Sequence, residues 1–349
     1  MKVLITGAAG FLGLHLARYA DKLDWADRLY LYDIADFDKQ DYPKKSVFIK
    51  GDVRDRELLK YYICRSDFVI HSAAALPLWK RAEIVDVNIN GTENVLSLSF
   101  EHKIKRVIQI SSTAVYGVPE KHPIYEDDPL VGVGDYGISK IEAEKLCQSF
   151  IQKGLNCTIV RPKTFVGPFR LGVFEILFDW IYEGKKIPMI GNGKNKYQLL
   201  DVADLVEAVY LFLKDWQKKD YNDVFNIGAK KFSTVADDLN ALFEFAGTGS
   251  RLLPFPAGFV KFFLAFFYNL KLSPLYPWVY ATADKDSFVS IEKIEEVLNW
   301  SPKYSNSSAL IRAYKWYLKH RDEIKNKGAG VTHRVGWKQG VLALFKKFL

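Results

Sequence analysis

The stretch from Val3 to Gly13 constrains the fold more than any other. Val3-Leu4-Ile5-Thr6 is a short apolar run of the kind that fills a buried strand. It breaks into Gly7-Ala8-Ala9-Gly10-Phe11-Leu12-Gly13 and then into a helical apolar pattern through Leu14, Leu16, Ala17, Tyr19 and Ala20. Strand, glycine turn and helix in that order form the context a phosphate cradle requires. Gly7 permits a tight turn, and Gly10 lets backbone approach a pyrophosphate at the positive helix N-terminus. Gly13 lets the helix pack closely on the strand.

The pattern repeats. Residues 29–33 read as a second strand ending in Asp33, twenty residues beyond Gly13, where an acid binds the adenosine ribose hydroxyls of a dinucleotide. A carboxylate there repels a 2′-phosphate, which favours NAD over NADP. Asp36 and Asp38 are the competing acids. Further strands fall at 46–50, 68–71, 107–111, 158–160 and 224–227, with helical segments such as 56–64 and 90–102 between them. Strands alternating with helices predict an α/β fold, a Rossmann-type doubly wound parallel sheet. Ligands bind such sheets beyond the carboxyl ends of the strands. Asp52-Val53, Ser72-Ala73-Ala74, Ser111-Ser112 and Arg161-Pro162 follow strand ends, on that rim.

Tyr136 and Lys140 stand four residues apart at the start of a helical run, so phenol and ammonium share one face. A free phenol, with a pKa of about 10, is a poor base at neutral pH. An adjacent cation favours the phenolate, and the pair can then move a proton while a cofactor moves a hydride.

At 349 residues the chain is long enough for a large core and a second lobe. Cys64, Cys147 and Cys157 are odd in number and widely spaced, which predicts reduced thiols in a cytosolic protein. The first apolar run stops at Gly7, too early for a signal peptide.

Taken together these residues resemble the extended short-chain dehydrogenase/reductase family, which includes the NAD-dependent epimerases and dehydratases. The resemblance rests on Thr6-Gly-x-x-Gly-x-x-Gly13, Asp33, Asp52-Val53, His71-x-Ala-Ala74 and Asn88-x-x-Gly-Thr92. It continues through Ser111-Ser-x-x-Val-Tyr-Gly117, Tyr136-x-x-x-Lys140 and Arg161-Pro162 with Gly167-Pro168, all in family order. It implies Tyr136 as general acid/base, Lys140 as its pKa-lowering and ribose-holding partner, and Ser112 as the donor to the reacting oxygen. Asn88 would support the active-site backbone or a relay water. NAD would be held by Gly7, Gly10, Phe11, Leu12, Gly13, Asp33, Asp52, Val53, Ala73, Ala74, Tyr136, Lys140 and Pro162. His71 reads as a core or rim histidine, and Tyr116 as packing or a pocket wall. Residues 1–165 would form the NAD-binding domain, with returns near 198–246. Residues 166–197 and 247–322 would form a smaller C-terminal substrate lobe.

Departures from the family pattern bear on the reaction. Dehydratases carry Asp-Glu after the catalytic Ser/Thr, where this chain has Thr113-Ala114, and sugar decarboxylases carry an acid at the position of Ala114. Simple hydride transfer at an alcohol or ketone remains, one-way or as an epimerase's there-and-back cycle. Sugar-nucleotide epimerases often place Asn where Thr164 stands, and Arg-Asp-Phe where Tyr197-Gln198-Leu199 stands. Lys163, Arg170 and Lys196 are the candidate replacements for the missing diphosphate-binding arginine. The Gly191–Asn195 run looks more like the sterol and 3-beta-hydroxysteroid dehydrogenase branch. These features favour hydride transfer at a secondary alcohol or ketone of a lipidic substrate, sterol-, sphingolipid- or polyprenyl-like, with a UDP-hexose 4-epimerase and a non-catalytic NAD sensor as alternatives. The apolar run 255–270, interrupted by Lys261, is too short to span a bilayer; it suits a buried helix, a lipid-facing lip or an apolar tunnel wall. The formal net charge is +8. After a linker at 323–330, residues 331–349 put Trp337, Val341, Leu344, Phe345 and Phe348 at helical spacing, with Arg334, Lys338, Lys346 and Lys347 and no acid. That predicts a basic amphipathic helix on an anionic membrane surface, peripheral on the cytoplasmic face, and not a nucleic-acid site. A homodimer is a further expectation from the family.

Overall fold

The computed structural model of the chain describes residues 1–77, 79–269, 280 and 282–326. The expected tail helix at 331–349 and the aromatic stretch at 270–279 lie outside the described residues. The chain opens β1 (Lys2–Thr6), α1 (Phe11–Lys22), β2 (Arg28–Asp33), β3 (Ser46–Lys50), α2 (Arg56–Ile63) and β4 (Phe68–His71). It continues through α3 (Arg81–Val85), α4 (Gly91–Glu101), β5 (Arg106–Ile110), α5 (Gly134–Gln152), β6 (Cys157–Pro162), β7 (Phe165–Val166), α6 (Val173–Tyr182), β8 (Ile187–Ile190) and β9 (Leu200–Asp201). It ends α7 (Val202–Lys214), β10 (Val224–Ile227), α8 (Val235–Ala246), β11 (Leu252–Phe255), α9 (Ala257–Asn269), α10 (Glu292–Leu298) and α11 (Asn306–Asn326).

Seven strands form one sheet in the order β10-β6-β5-β4-β1-β2-β3, every pairing parallel. The strands are apolar runs because both faces are covered. Val3, Ile5, Phe68, Ile70 and Ile108 point into one core with α1 and α7. Their neighbours Leu4, Val69 and Val107 point into a second core on the opposite face, with α2 and α4. From β1 the chain winds outward to β2 and β3, and from β4 it winds the other way to β5, β6 and β10. The sheet therefore reverses direction at β1 and β4, and a crevice opens at their carboxyl ends.

A smaller core gathers Phe178, Trp180 and Ile181 of α6, Leu242 and Phe243 of α8, and Ala313, Tyr314 and Tyr317 of α11. It stands over the carboxyl edge of the sheet. So α8, which falls within the expected returns to the NAD-binding domain, packs in the lobe core, while α10 packs against β10 of the sheet. No helix among the described residues is long and apolar enough to cross a membrane.

Candidate active site

The crevice begins at the glycine turn. Gly7 has φ +69°, and a Cβ there would lie 2.6 Å from the Ala73 nitrogen. A Cβ on Gly13 would lie 2.4 Å from Ala8 Cα, so α1 sits directly on the turn. Gly10 caps α1 in extended conformation, without a side-chain cap and with no acid in the first turn. The free N–H groups at that end face the crevice, where an anion is stabilised. Asp33 at the end of β2 accepts hydrogen bonds from the backbone N–H groups of Ala9 and Ala35, both at 2.9 Å. The carboxylate keeps acceptor capacity for a sugar hydroxyl, and burial pushes its pKa upward. Asp52 is held by Arg54, which reaches on to Asp86 at 2.9 Å. The guanidinium keeps the Asp52 carboxyl below its ordinary range. Gly7, Gly10, Phe11, Leu12, Asp33, Asp52, Val53, Ala73, Ala74 and Pro162 all line one cavity. Gly13 packs behind it. A cradle that methyl groups would fill, open N–H donors and a buried acid fit a dinucleotide.

The next part of the site is built by β5 and α5. Ser112 leaves β5 in extended conformation and accepts a hydrogen bond from the Ala114 N–H at 3.1 Å, capping the tight turn Thr113–Tyr116. The first turn of α5 lies against that turn because residue 137 is glycine; a Cβ there would lie 2.7 Å from the Ala114 carbonyl oxygen. This contact brings the Tyr136 phenol beside the Ser112 hydroxyl, near enough for that hydroxyl to act on its pKa. Burial pushes the phenol up to about 12, and the Ser112 contact opposes that rise. The Lys140 ammonium donates to the Ile110 carbonyl at 3.0 Å and lies 5.9 Å from the Tyr136 ring centroid. Burial lowers its pKa to about 8, against the pull of Glu144 and Cys147. The sequence places the ammonium beside the phenol; the structure ties it to the end of β5. Without a bound cation the phenol therefore stays protonated at neutral pH.

Asn88 sits in a π-helical turn, Asp86–Asn90, a form often found at functional sites. Its side chain accepts from the Ala75 N–H at 2.8 Å and donates to the Ala75 carbonyl at 3.3 Å and to Ser139 Oγ at 3.0 Å. It clamps the cavity wall at Ala75 to α5. His71 is wholly buried between the hydroxyls of Thr6 and Thr92, at 2.6 and 3.1 Å, and burial lowers its pKa to about 3; it is a core residue. Tyr116 hydrogen-bonds Asn226 and Arg161 in the interior and packs there.

The cavity has a volume of about 1340 Å³ and runs from the glycine turn past Tyr136 into the lobe. Its far wall is formed by Lys163, Thr164, Tyr197, Asn306 and Leu310 among others. Asn306 opens α11 and ties the wall together, donating to the Tyr197 carbonyl and Asp238 at 2.7 and 2.8 Å and accepting from the Leu199 N–H at 2.8 Å.

Residues 3–228 match the model of the NAD dependent epimerase/dehydratase family. The chain belongs to that family. Among its relatives is the protein y4nG of Sinorhizobium fredii, 33% identical over 343 residues that cover 98% of this chain and 84% of the relative. A UDP-glucose 4-epimerase of Lactobacillus helveticus is 28% identical, covering 92% of this chain and 98% of its own. An Escherichia coli O157:H7 4-epimerase of N-acetyl-alpha-D-glucosaminyl-diphospho-ditrans,octacis-undecaprenol is 33% identical over 221 residues, 61% of this chain and 63% of the relative. The fold matches the crystal structure of Thermotoga maritima UDP-glucose 4-epimerase with UDP-glucose, with a TM-score of 0.76 at 23% identity, covering 92% of this chain and all of that one.

The chain is therefore an NAD-dependent enzyme of the epimerase/dehydratase family, with NAD as its cofactor. For this family member the sequence motifs converge on one crevice, but two features were not readable from them. Gly137 carries no obvious motif, although a small residue one turn before Lys140 is the signal for a close approach. The wall from α11 is contributed by residues far along the chain, and only the polar Asn306 ahead of an apolar helix face hints at it.

Proposed function

We propose that the protein is a 4-epimerase of a diphosphate-linked sugar. The observation that carries this reading is the shared cavity: Tyr136 and Ser112 stand between the glycine crevice and a lobe compartment that presents a buried lysine, Lys163. When bound, NAD supplies a hydride acceptor and a positive charge beside the phenol. Ser112 then orients the substrate oxygen, and Tyr136 takes its proton and later returns one. Lys140 fixes the end of β5 and stabilises the ionised phenol through its charge. Asn88 keeps Ala75 and α5 in register. Thr113 and Ala114 follow Ser112 on the cavity wall and offer no carboxylate for a second proton abstraction, which disfavours elimination and decarboxylation. The relatives' substrates support the sugar diphosphate class.

A second reading, net oxidation or reduction of a lipidic alcohol or ketone, is favoured by the apolar lining from Phe165, Phe174, Leu177, Leu239 and Leu310. The two are separated by incubating NAD-loaded protein with UDP-N-acetylglucosamine, UDP-glucose and the polyprenyl diphosphate sugar. The first reading predicts inversion at C4, seen by proton NMR, with no net NADH. Accumulation of NADH without inversion, confined to the polyprenyl diphosphate sugar, supports the second. No inversion of any of the three refutes the epimerase reading.

A further inference from the structure

We propose that Lys163 is the anion anchor of the lobe compartment, binding an oxyanion of the substrate that supplies the counter-charge the fold withholds. The proposal deepens the reading above, and rests on it for the nature of the ligand. The oxyanion is a phosphate of the sugar diphosphate or a carboxylate of the sugar.

Lys163 follows β6 directly and is 3% exposed. Its backbone N–H donates to the Ile227 carbonyl at 2.9 Å, fixing the residue to the end of β10. The ammonium donates to Ser287 Oγ at 2.7 Å and lies 4.9 Å from the centroid of the Tyr197 ring. That ring is itself held by Thr164, whose hydroxyl lies 3.1 Å from the phenol. An ammonium has three donors; one is used on Ser287, and Lys163 and the Tyr197 ring beside its ammonium both belong to the cavity wall.

No carboxylate among the described residues pairs with it, and burial alone accounts for its lowered pKa of about 7. Two buried arginines, Arg161 and Arg106, are treated differently. Arg161 carries Glu144 at 2.6 Å. Arg106 is capped by the Trp216 and Lys218 carbonyls and by Asn222 and Thr158. A buried charge without a partner is costly. Where that cost sits on a cavity wall, an incoming anion removes it, and the charge-assisted contact is strong because water is excluded. Lys163 also stands next to Thr164 and beneath Tyr197, at two positions where this chain lacks the residues with which sugar-nucleotide epimerases hold a diphosphate.

The test is calorimetric titration of the NAD-loaded protein at pH 6.5 with inorganic pyrophosphate, UDP and glucuronate, for wild type, Lys163→Met and Lys163→Arg. Wild type is expected to bind at least one probe. Lys163→Met should weaken that probe by about 10- to 100-fold, the loss of one charge-assisted contact, with NAD affinity unchanged. Lys163→Arg should retain most of the affinity. Loss confined to pyrophosphate and UDP assigns the phosphate; loss confined to glucuronate assigns the carboxylate. Equal binding by wild type and Lys163→Met overturns the anchor, and so does a wild-type protein that binds none of the three. Loss of anion binding in Lys163→Met without any C4 inversion by wild type keeps the anchor and sinks the epimerase reading. Inversion with unchanged KM in Lys163→Met does the reverse.

Discussion

Gly13→Ala drives a methyl group into main chain. The new Cβ would lie 2.4 Å from Ala8 Cα, 2.6 Å from the Gly7 oxygen and 2.7 Å from the Ala8 oxygen. Ordinary carbon contacts lie at about 3.5–4.0 Å, so α1 must lift from the turn by on the order of 1 Å. All three neighbours are backbone, so no side-chain rotation relieves the clash. Two losses follow. The inner face of α1, with Leu14, Leu16, Ala17 and Ala20, is buried, and forced repacking of such a core costs roughly 1–3 kcal/mol. The N–H groups at the start of α1 are also displaced from the position at which they would meet the cofactor's pyrophosphate. Losing one charge-assisted hydrogen bond, about 1.5–3 kcal/mol, raises the NAD dissociation constant about 10- to 100-fold. Direct NAD titration and chemical denaturation of the same variant measure both. An NAD affinity and an unfolding midpoint equal to wild type would refute the assignment of the glycine turn as a tightly packed cofactor cradle.

Two further perturbations follow from the same structure. Asp33→Ser removes the charge opposing a 2′-phosphate. A pair of like charges near 4 Å costs about 1–4 kcal/mol in partly solvated surroundings, so the ratio of NAD to NADP affinity should fall about tenfold or more; an unchanged ratio would move the ribose acid to Asp36 or Asp38. His71 is buried neutral, with a folded-state pKa of about 3 against about 6.5 unfolded. The unfolded chain binds the proton first, so its contribution to stability is complete above pH 6.5 and is lost as the pH falls toward 3. At about 1.4 kcal/mol per pH unit, roughly 2 kcal/mol disappears between pH 6.5 and 5. Urea midpoints across that window should fall for wild type and stay flatter for His71→Gln; equal slopes contradict the buried neutral histidine.

Features set by neighbouring residues were legible in the sequence. The turn between β1 and α1, Asp33 at the end of β2, and Tyr136 with Lys140 on α5 are local patterns, and the strand at 224–227 was apparent from its apolar run. Features set by distant packing were not. The direction of the Lys140 ammonium depends on where β5 ends relative to α5, which spacing along one helix does not encode. The role of Gly137 depends on the turn after Ser112 lying beneath it. Asn88 was readable as a support for the site, but the π-helical turn that aims it at Ala75 was not. Lys163 was visible as one of three candidate cations; only burial distinguishes it from Lys196, whose backbone N–H merely bonds the exposed Asp286. The wall from α11 required knowing that helices 306–326, 173–182 and 235–246 share a core.

The most direct test of the central claim is Tyr136→Phe, because it removes only the hydroxyl that faces Ser112. With whichever substrate wild type turns over, kcat should fall by about 10²- to 10⁴-fold, the usual contribution of a general acid/base. The NAD dissociation constant should stay within about twofold of wild type. Turnover within twofold of wild type would contradict the account, since the proton would then be moved by some other group.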